Sequence, residues 1–172
     1  MSSLINFQLD SGPDHKGRKI SDIWRFNDFW LEHDHQYIQW LFPIDSQSKF
    51  NRHAPVLTPD DIKAFQSDPR LKAAQQHSLE IMLSFFGMEK IGNEIVPSSQ
   101  LNIRDHIWLK HGGHNHLRIS RIIRSLALCD QSELSGIFQS AMIDTARQYG
   151  EVTAKTVEFW KLANQVTSGS RN

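Results

Sequence analysis

The sequence predicts an all-α protein, a compact single-domain multi-helix bundle with at most one small β-hairpin. Three observations carry that expectation. Apolar residues recur at helical spacing through most of residues 20–166. Two helix starts are written clearly, Thr58-Pro59-Asp60-Asp61 and Asp68-Pro69. Only the short run Ile91-Gly92-Asn93-Glu94-Ile95 reads as a hairpin, and an isolated hairpin adds little stability.

The chain has 172 residues, a length for which one domain and one core are the default. Hydrophobic residues make up 39% and charged residues 22%, which excludes a disordered chain. Lys plus Arg, 19, balance Asp plus Glu, 19, so nucleic acid is disfavoured as a partner. The single cysteine, Cys129, excludes an internal disulfide framework and reads as a small buried hydrophobe beside Leu126, Ala127 and Leu128. No window approaches the roughly 18 consecutive apolar residues of a membrane span. The opening Met1-Ser2-Ser3-Leu4-Ile5-Asn6 lacks a secretory pattern, so a cytoplasmic location is expected.

In chain order, residues 1–19, rich in Gly, Pro and Asp, are expected as an N-terminal arm with turns. The helical domain should span 20–166, followed by a flexible tail at 167–172. Ser21 can cap a helix carrying Ile23, Trp24, Phe26 and Phe29/Trp30. A second helix is expected from about Leu31 to Pro43, with Leu31, His35, Ile38 and Phe42 on one face and Tyr37 and Trp40 on the other. Thr58 offers an N-cap hydroxyl, followed by Pro59 at N1 and acids in the first turn. From Pro69, Leu71, Ala74, Leu79, Met82, Phe85 and Phe86 form a long helical stripe that Gly87 can end in the left-handed conformation. A further helix is expected from Asn115 to Leu128, with Ile119, Ile122, Ile123 and Leu126 inward. Another runs from Ser132 to Tyr149, stopped by Gly150. A last one opens at Thr153 and buries Val157, Trp160 and Leu162.

Chemistry-bearing residues gather in two stretches. In the Leu31–Pro43 segment, Glu32 and His35 stand at i, i+3, the spacing by which a helix presents an acid–base pair or two ligands to one site. The plainer reading of His35 is a core histidine with a hydrogen-bonding neighbour, and Gln39 shares the ambiguity. In the second stretch, His111, His114 and His116 fall within six residues. The catalytic zinc pattern His-Glu-x-x-His is absent, however, so no metal site and no cofactor are expected. From His106 to Cys129 there is no acidic residue, while Lys110, Arg118, Arg121 and Arg124 are all present. A helix N-terminus near Asn115 beside Arg118 and several histidines would favour an anion. The plainer alternative is a solvated basic face, with Arg121 and Arg124 opposite the apolar stripe and Arg118 on its flank.

Four blocks of this sequence resemble the conserved region of the opioid growth factor receptor family. They are Glu32 and His35 with Tyr37-Ile38-Gln39-Trp40-Leu41-Phe42-Pro43; Asn51 and Ala54 with Leu57-Thr58; Met82-Leu83 with Phe85-Phe86-Gly87; and His114-Asn115 with Leu117-Arg118-Ile119-Ser120-Arg121-Ile122. The lead-in Gly12-Pro13-Asp14-His15-Lys16-Gly17-Arg18 is similar to that of the family's bacterial, stand-alone members. Ser120 stands where the family usually has Thr, and His116 often replaces Asn. His53 falls in the second block. The resemblance spans about Gly12 to Leu128 and weakens beyond. The family's vertebrate members are receptors for an enkephalin peptide and associate with the nuclear membrane. The resemblance therefore implies an all-α fold and a binding role, and it supports the fold more directly than the activity.

These readings converge on a binding module for a peptide or small anionic ligand. Its expected ligand-binding residues are Glu32, His35, Gln39, Trp40, Asn51, His53, His114, Asn115, Arg118 and Arg121, walled by Trp40 and Tyr37. In this expectation Arg118 supplies charge to an anionic group, Glu32 and His35 fix orientation, and Trp40 adds apolar contact. No catalytic residue is assigned. Two alternatives remain open: an enzyme using Glu32, His35 and His114 for acid–base or metal chemistry, and a protein–protein interaction domain in which the polar residues are a structural network.

Overall fold

The computed structural model describes residues 1–166; the expected tail at 167–172 lies outside them. The described chain is mainly helical, with one two-stranded antiparallel hairpin. The described residues divide into two compact units, one of residues 1–81 and one from residue 82 onward.

The first unit opens with α1 (Ser3–Gln8), where an irregular arm was expected. The Ser2 hydroxyl accepts the Ile5 N–H at 3.2 Å and donates to Asp61 at 2.7 Å, while Leu4, Ile5 and Phe7 are buried. A short amphipathic turn can thus form when a cap and three apolar side chains reach a core, even though propensity alone would leave it frayed. Next come α2 (Ile20–Trp24) and α3 (Asp28–His33) in place of the one helix expected to run past Ser21. Asn27 separates them, its side chain accepting the Trp30 N–H at 3.1 Å. This restarts the helix just where Phe29 and Trp30 turn outward, 58% and 53% exposed.

The helix expected from Leu31 to Pro43 is also interrupted. After α3 the chain leaves helical geometry at Asp34 and resumes only for the single turn α4 (Ile38–Leu41). Asp34 is the cause: one carboxylate oxygen accepts the Gln36 N–H at 2.8 Å and the other binds Arg18. A short acidic side chain that captures a backbone donor two residues on competes with the helix ladder. The facing set Leu31, His35, Ile38 and Phe42 is therefore not formed on a continuous rod.

A parallel bridge, Ile44 with Val56, spans the ends of the following loop. Then α5 (Pro59–Ser67) begins as expected: Thr58 Oγ1 accepts the Asp61 N–H at 3.1 Å and Asp61 accepts the Thr58 N–H at 3.0 Å, a reciprocal capping box. The long helix α6 (Pro69–Phe86) follows and contains the boundary between the units. Leu71, Ala74, Leu79, Met82, Leu83 and Phe86 are buried along it, and Gly87 ends it at φ +76°.

The second unit contains the hairpin β1 (Met88–Ile91) and β2 (Glu94–Pro97), in register from Met88 with Pro97 to Ile91 with Glu94. After a short 3₁₀ turn at Ile107–Leu109 come α7 (Asn115–Leu128), α8 (Ser132–Tyr149) and α9 (Ala154–Leu162). The unit is built on α7: Ile119, Ile122, Ile123 and Leu126 are fully buried, with α8 and α9 packed against that helix. Thr153 caps α9 by accepting the Thr156 N–H, and Val157 and Trp160 are buried, whereas Leu162, expected inside, is 55% exposed. Cys129 is buried and in no disulfide.

Candidate functional site

In the first unit the predicted residues separate into two groups. Gln39, Trp40, Asn51 and His53 come together around α4. Gln39 donates to the His35 carbonyl at 3.1 Å and accepts from Asn51 Nδ2 at 3.3 Å; Asn51 Oδ1 in turn accepts the His53 N–H at 3.0 Å. Gln39 and Asn51 are buried, so these bonds satisfy groups that would otherwise be costly and tie the 51–54 turn to α4. His35 stands apart from the expectation of a core histidine: it lies in the interruption between α3 and α4 and its ring is exposed, while its carbonyl receives Gln39. Glu32 is half-buried on α3. Because the helix breaks at Asp34, Glu32 and His35 lose the i, i+3 helical relation that suggested a shared acid–base site.

Trp40 is also the centre of an aromatic–imidazole cluster. Its ring is 5% exposed and tilts against Phe7, centroids 5.2 Å apart. Its indole N–H donates to His15 Nδ1 at 3.1 Å, and Gln8 donates to its backbone carbonyl at 2.8 Å. The His15 ring is nearly parallel to that of Trp40 (19°) and stacks on that of His53, centroids 4.8 Å apart and planes 16° from parallel. An indole N–H only donates, so the Nδ1 facing it carries no proton; the neutral ring holds its proton on Nε2. Burial pushes His15 below the ordinary histidine value; Asp14 opposes this, while His53 and Arg18 reinforce it.

The turn carrying His15 is itself tightly held. Asp14 accepts the N–H groups of Lys16 and Arg18, each at 2.9 Å, and pairs with the Arg18 guanidinium. Arg18 continues to Asp34 and to the Gln36 carbonyl. Burial works against ionising Asp34, but the Gln36 N–H and Arg18 outweigh it and hold its carboxyl below the ordinary range. His15, Arg18 and Gln8 belong to this site, yet none was singled out from the sequence as a site residue. The usable signal was Asp14 and Arg18 at i, i+4 around a histidine in a Gly/Pro-flanked turn.

In the second unit the N-terminal turn of α7 carries the remaining residues. His111 is exposed, His114 is half-buried and His116 is buried, so the three histidines meet different environments. His116 Nε2 bonds the Trp108 carbonyl at 2.7 Å, and its own carbonyl accepts the Trp160 indole N–H at 3.0 Å. That histidine anchors the start of α7 to two buried tryptophans. Among the described residues no group of three His, Cys, Asp or Glu side chains is placed to hold a metal ion. Arg118 is only 4% exposed and donates to Asn115 Oδ1 at 3.2 Å. Arg121 is largely withdrawn from solvent, and burial lowers its pKa to about 10. The solvated basic face weighed from the sequence is therefore replaced by guanidinium groups carried inward by the helix, with Leu117 exposed instead.

This mostly helical chain, with an aromatic–imidazole cluster in one unit and buried arginines at a helix start in the other, is similar in sequence to one family of proteins. The sequence model of the "Opioid growth factor receptor (OGFr) conserved region" matches residues 8–167, and the chain belongs to that family. It is 39% identical to the opioid growth factor receptor of Rattus norvegicus over 116 residues, covering 64% of this chain and 20% of that protein. It is 37% identical to the Homo sapiens receptor over 112 residues, 62% of this chain and 16% of that protein. The opioid growth factor receptor-like protein 1 of Xenopus tropicalis is 37% identical over 112 residues, 63% of this chain and 21% of that protein. The chain thus spans about a fifth of the length of the curated relatives it matches. No solved structure matches it.

Proposed function

We propose that this chain is a ligand-binding module in which the start of α7 recognises an anionic group, such as a peptide carboxylate. The observation that carries the reading is the place of Arg118, buried and bonded to Asn115 in the first turn of α7. Withdrawing a guanidinium from water is costly, and its charge acts most strongly on an anion where solvent is scarce. The N–H groups of the helix start add to that preference. The names of the rat and human relatives denote receptors for an opioid growth factor, which favours a peptide as the source of the anion. Gln39 and Asn51, bonded to each other, hold the first unit's turn in place and are assigned a positioning role.

The test is calorimetric titration of the chain with a panel of short peptides having free C-terminal carboxylates, alongside the same peptides amidated. The free acids should bind and the amides should bind less well. Arg118→Ala should weaken binding about tenfold or more, the order expected for losing a hydrogen bond to a charged group. Equal binding by a folded Arg118→Ala variant overturns the assignment.

A second reading, docking of a protein partner, is favoured by one separate observation. Phe29 and Trp30 project side by side from α3 into solvent, ring centroids 5.2 Å apart, with His33 against Phe29 at 4.5 Å. Trp30→Ala would impair that function and leave anion binding intact. No helix among the described residues is long and apolar enough to cross a membrane.

A further inference from the structure

The contact between Trp40 and His15 has a chemical property that its neighbours lack. Its donor cannot reverse: the indole nitrogen never accepts, so the bond exists only while His15 Nδ1 is bare. We propose that His15 is a pH-sensitive latch, which holds the 14–18 turn onto Trp40 while neutral and lets go when its ring takes up a proton in mildly acidic solution.

The step is simple. A proton from solvent adds to Nδ1, the Trp40 Nε1–H···Nδ1 bond is lost, and the ring becomes a cation with two N–H donors. Burial resists that cation most; among the groups facing it, His53 and Arg18 oppose the charge, while Asp14 and Gln36 favour it. His53 stacks on it from the 44–56 loop, with Arg52 beside His53 (Nε to Nε2, 3.5 Å). Arg18 lies in the same turn, and Trp40 presents an N–H rather than an acceptor. Asp14 is the one opposite charge, and its oxygens are already engaged by Lys16 N–H, Arg18 N–H and the Arg18 guanidinium. The Gln36 side chain adds one hydrogen bond that favours the charged ring, the smallest of these influences. The cation therefore gains more by leaving the stack for water than by staying in it. The far end of the turn stays fastened through Arg18 to Asp34 and the Gln36 carbonyl, so release is confined to the His15 end. Its product is a Trp40 indole N–H free to bond elsewhere.

The experiment follows the Trp40 indole proton and the His15 ring by NMR as a function of pH. Below the ordinary histidine value of about 6.5, each pH unit favours the released form by up to about tenfold for as long as the latched ring stays neutral. Between about pH 7.5 and pH 5 the hydrogen-exchange protection of the Trp40 indole N–H, corrected for intrinsic exchange, should fall by up to about thirtyfold, the limit for a ring that takes up its proton only once released. His15→Asn keeps an acceptor near the Nδ1 position but does not titrate, so its protection should be flat over the same range. His53→Gln should keep the pH dependence. The latch is overturned if His15 titrates at or above 6.5 with Trp40 protection unchanged, or if His53→Gln abolishes the dependence, which would make His53 the titrating group. The wild-type titration decides the matter even should His15→Asn fail to fold.

Discussion

At Gly87 the backbone leaves α6 at φ +76°, and a Cβ added there would sit 2.8 Å from the ring of His106. That ring cannot simply swing aside, because its Nδ1 accepts the Asn102 N–H at 3.1 Å. Gly87→Ala combines backbone strain with this clash and should cost about 1–3 kcal/mol. In urea unfolding it should lower the midpoint and leave the slope unchanged. Gly150 is different: its backbone is extended at φ −132°, and the reason for glycine is the Leu109 carbonyl, 2.6 Å from where a Cβ would lie. Both glycines were legible in the sequence as helix stops, but the two reasons were not, because local pattern carries no information about what comes close from elsewhere in the chain. Arg118 repeats the lesson. Its residue type and its place on α7 were readable, whereas its burial depends on what packs over that turn.

Among the elements, the sequence reading succeeded where side chain and backbone cooperate within one segment. The capping box at Thr58 is such a case, and Thr58→Ala should destabilise the protein by about 1 kcal/mol, measured as a lower denaturation midpoint. The helices 115–128 and 132–149 carry long apolar stripes and were placed at their observed bounds. The reading failed between Ser21 and Pro43, where one helix became α2 and α3, and the next was cut at Asp34. In both places a polar side chain, Asn27 or Asp34, takes a backbone N–H for itself. Apolar periodicity does not register that competition. The candidate site was affected accordingly: Gln39, Trp40, Asn51 and His53 lie together around α4, while Glu32 and His35 were paired on a helix that does not continue.

For the protein as a whole, two partly buried groups, beside the surface Asp68 paired with Arg70, shape how stability should respond to acid. The fold disfavours a proton on His15, so the unfolded chain binds more protons once the pH falls below about 6.5, and stability declines from there downward. Asp34, held below its ordinary value of 3.8, contributes stability that is fully present above that value and lost as the pH falls through its lower folded value. Acid should therefore weaken the fold in two steps of the same sign. Urea midpoints measured across the pH range should show both, and His15→Asn should remove only the upper one.

By itself the sequence determined that this protein is built of helices, where most of the long ones begin and end, and which family its conserved blocks belong to. The helices are written in apolar spacing, caps and stop residues that act over a few positions, and the family in the resemblance of four motif blocks. Only the tertiary structure decided that residues 3–8 form a buried helix, that His15 is bonded to an indole twenty-five positions away, and that Arg118 lies inside. Burial and hydrogen-bond partnership are made by segments distant in the chain, and a one-dimensional pattern holds no measure of that distance.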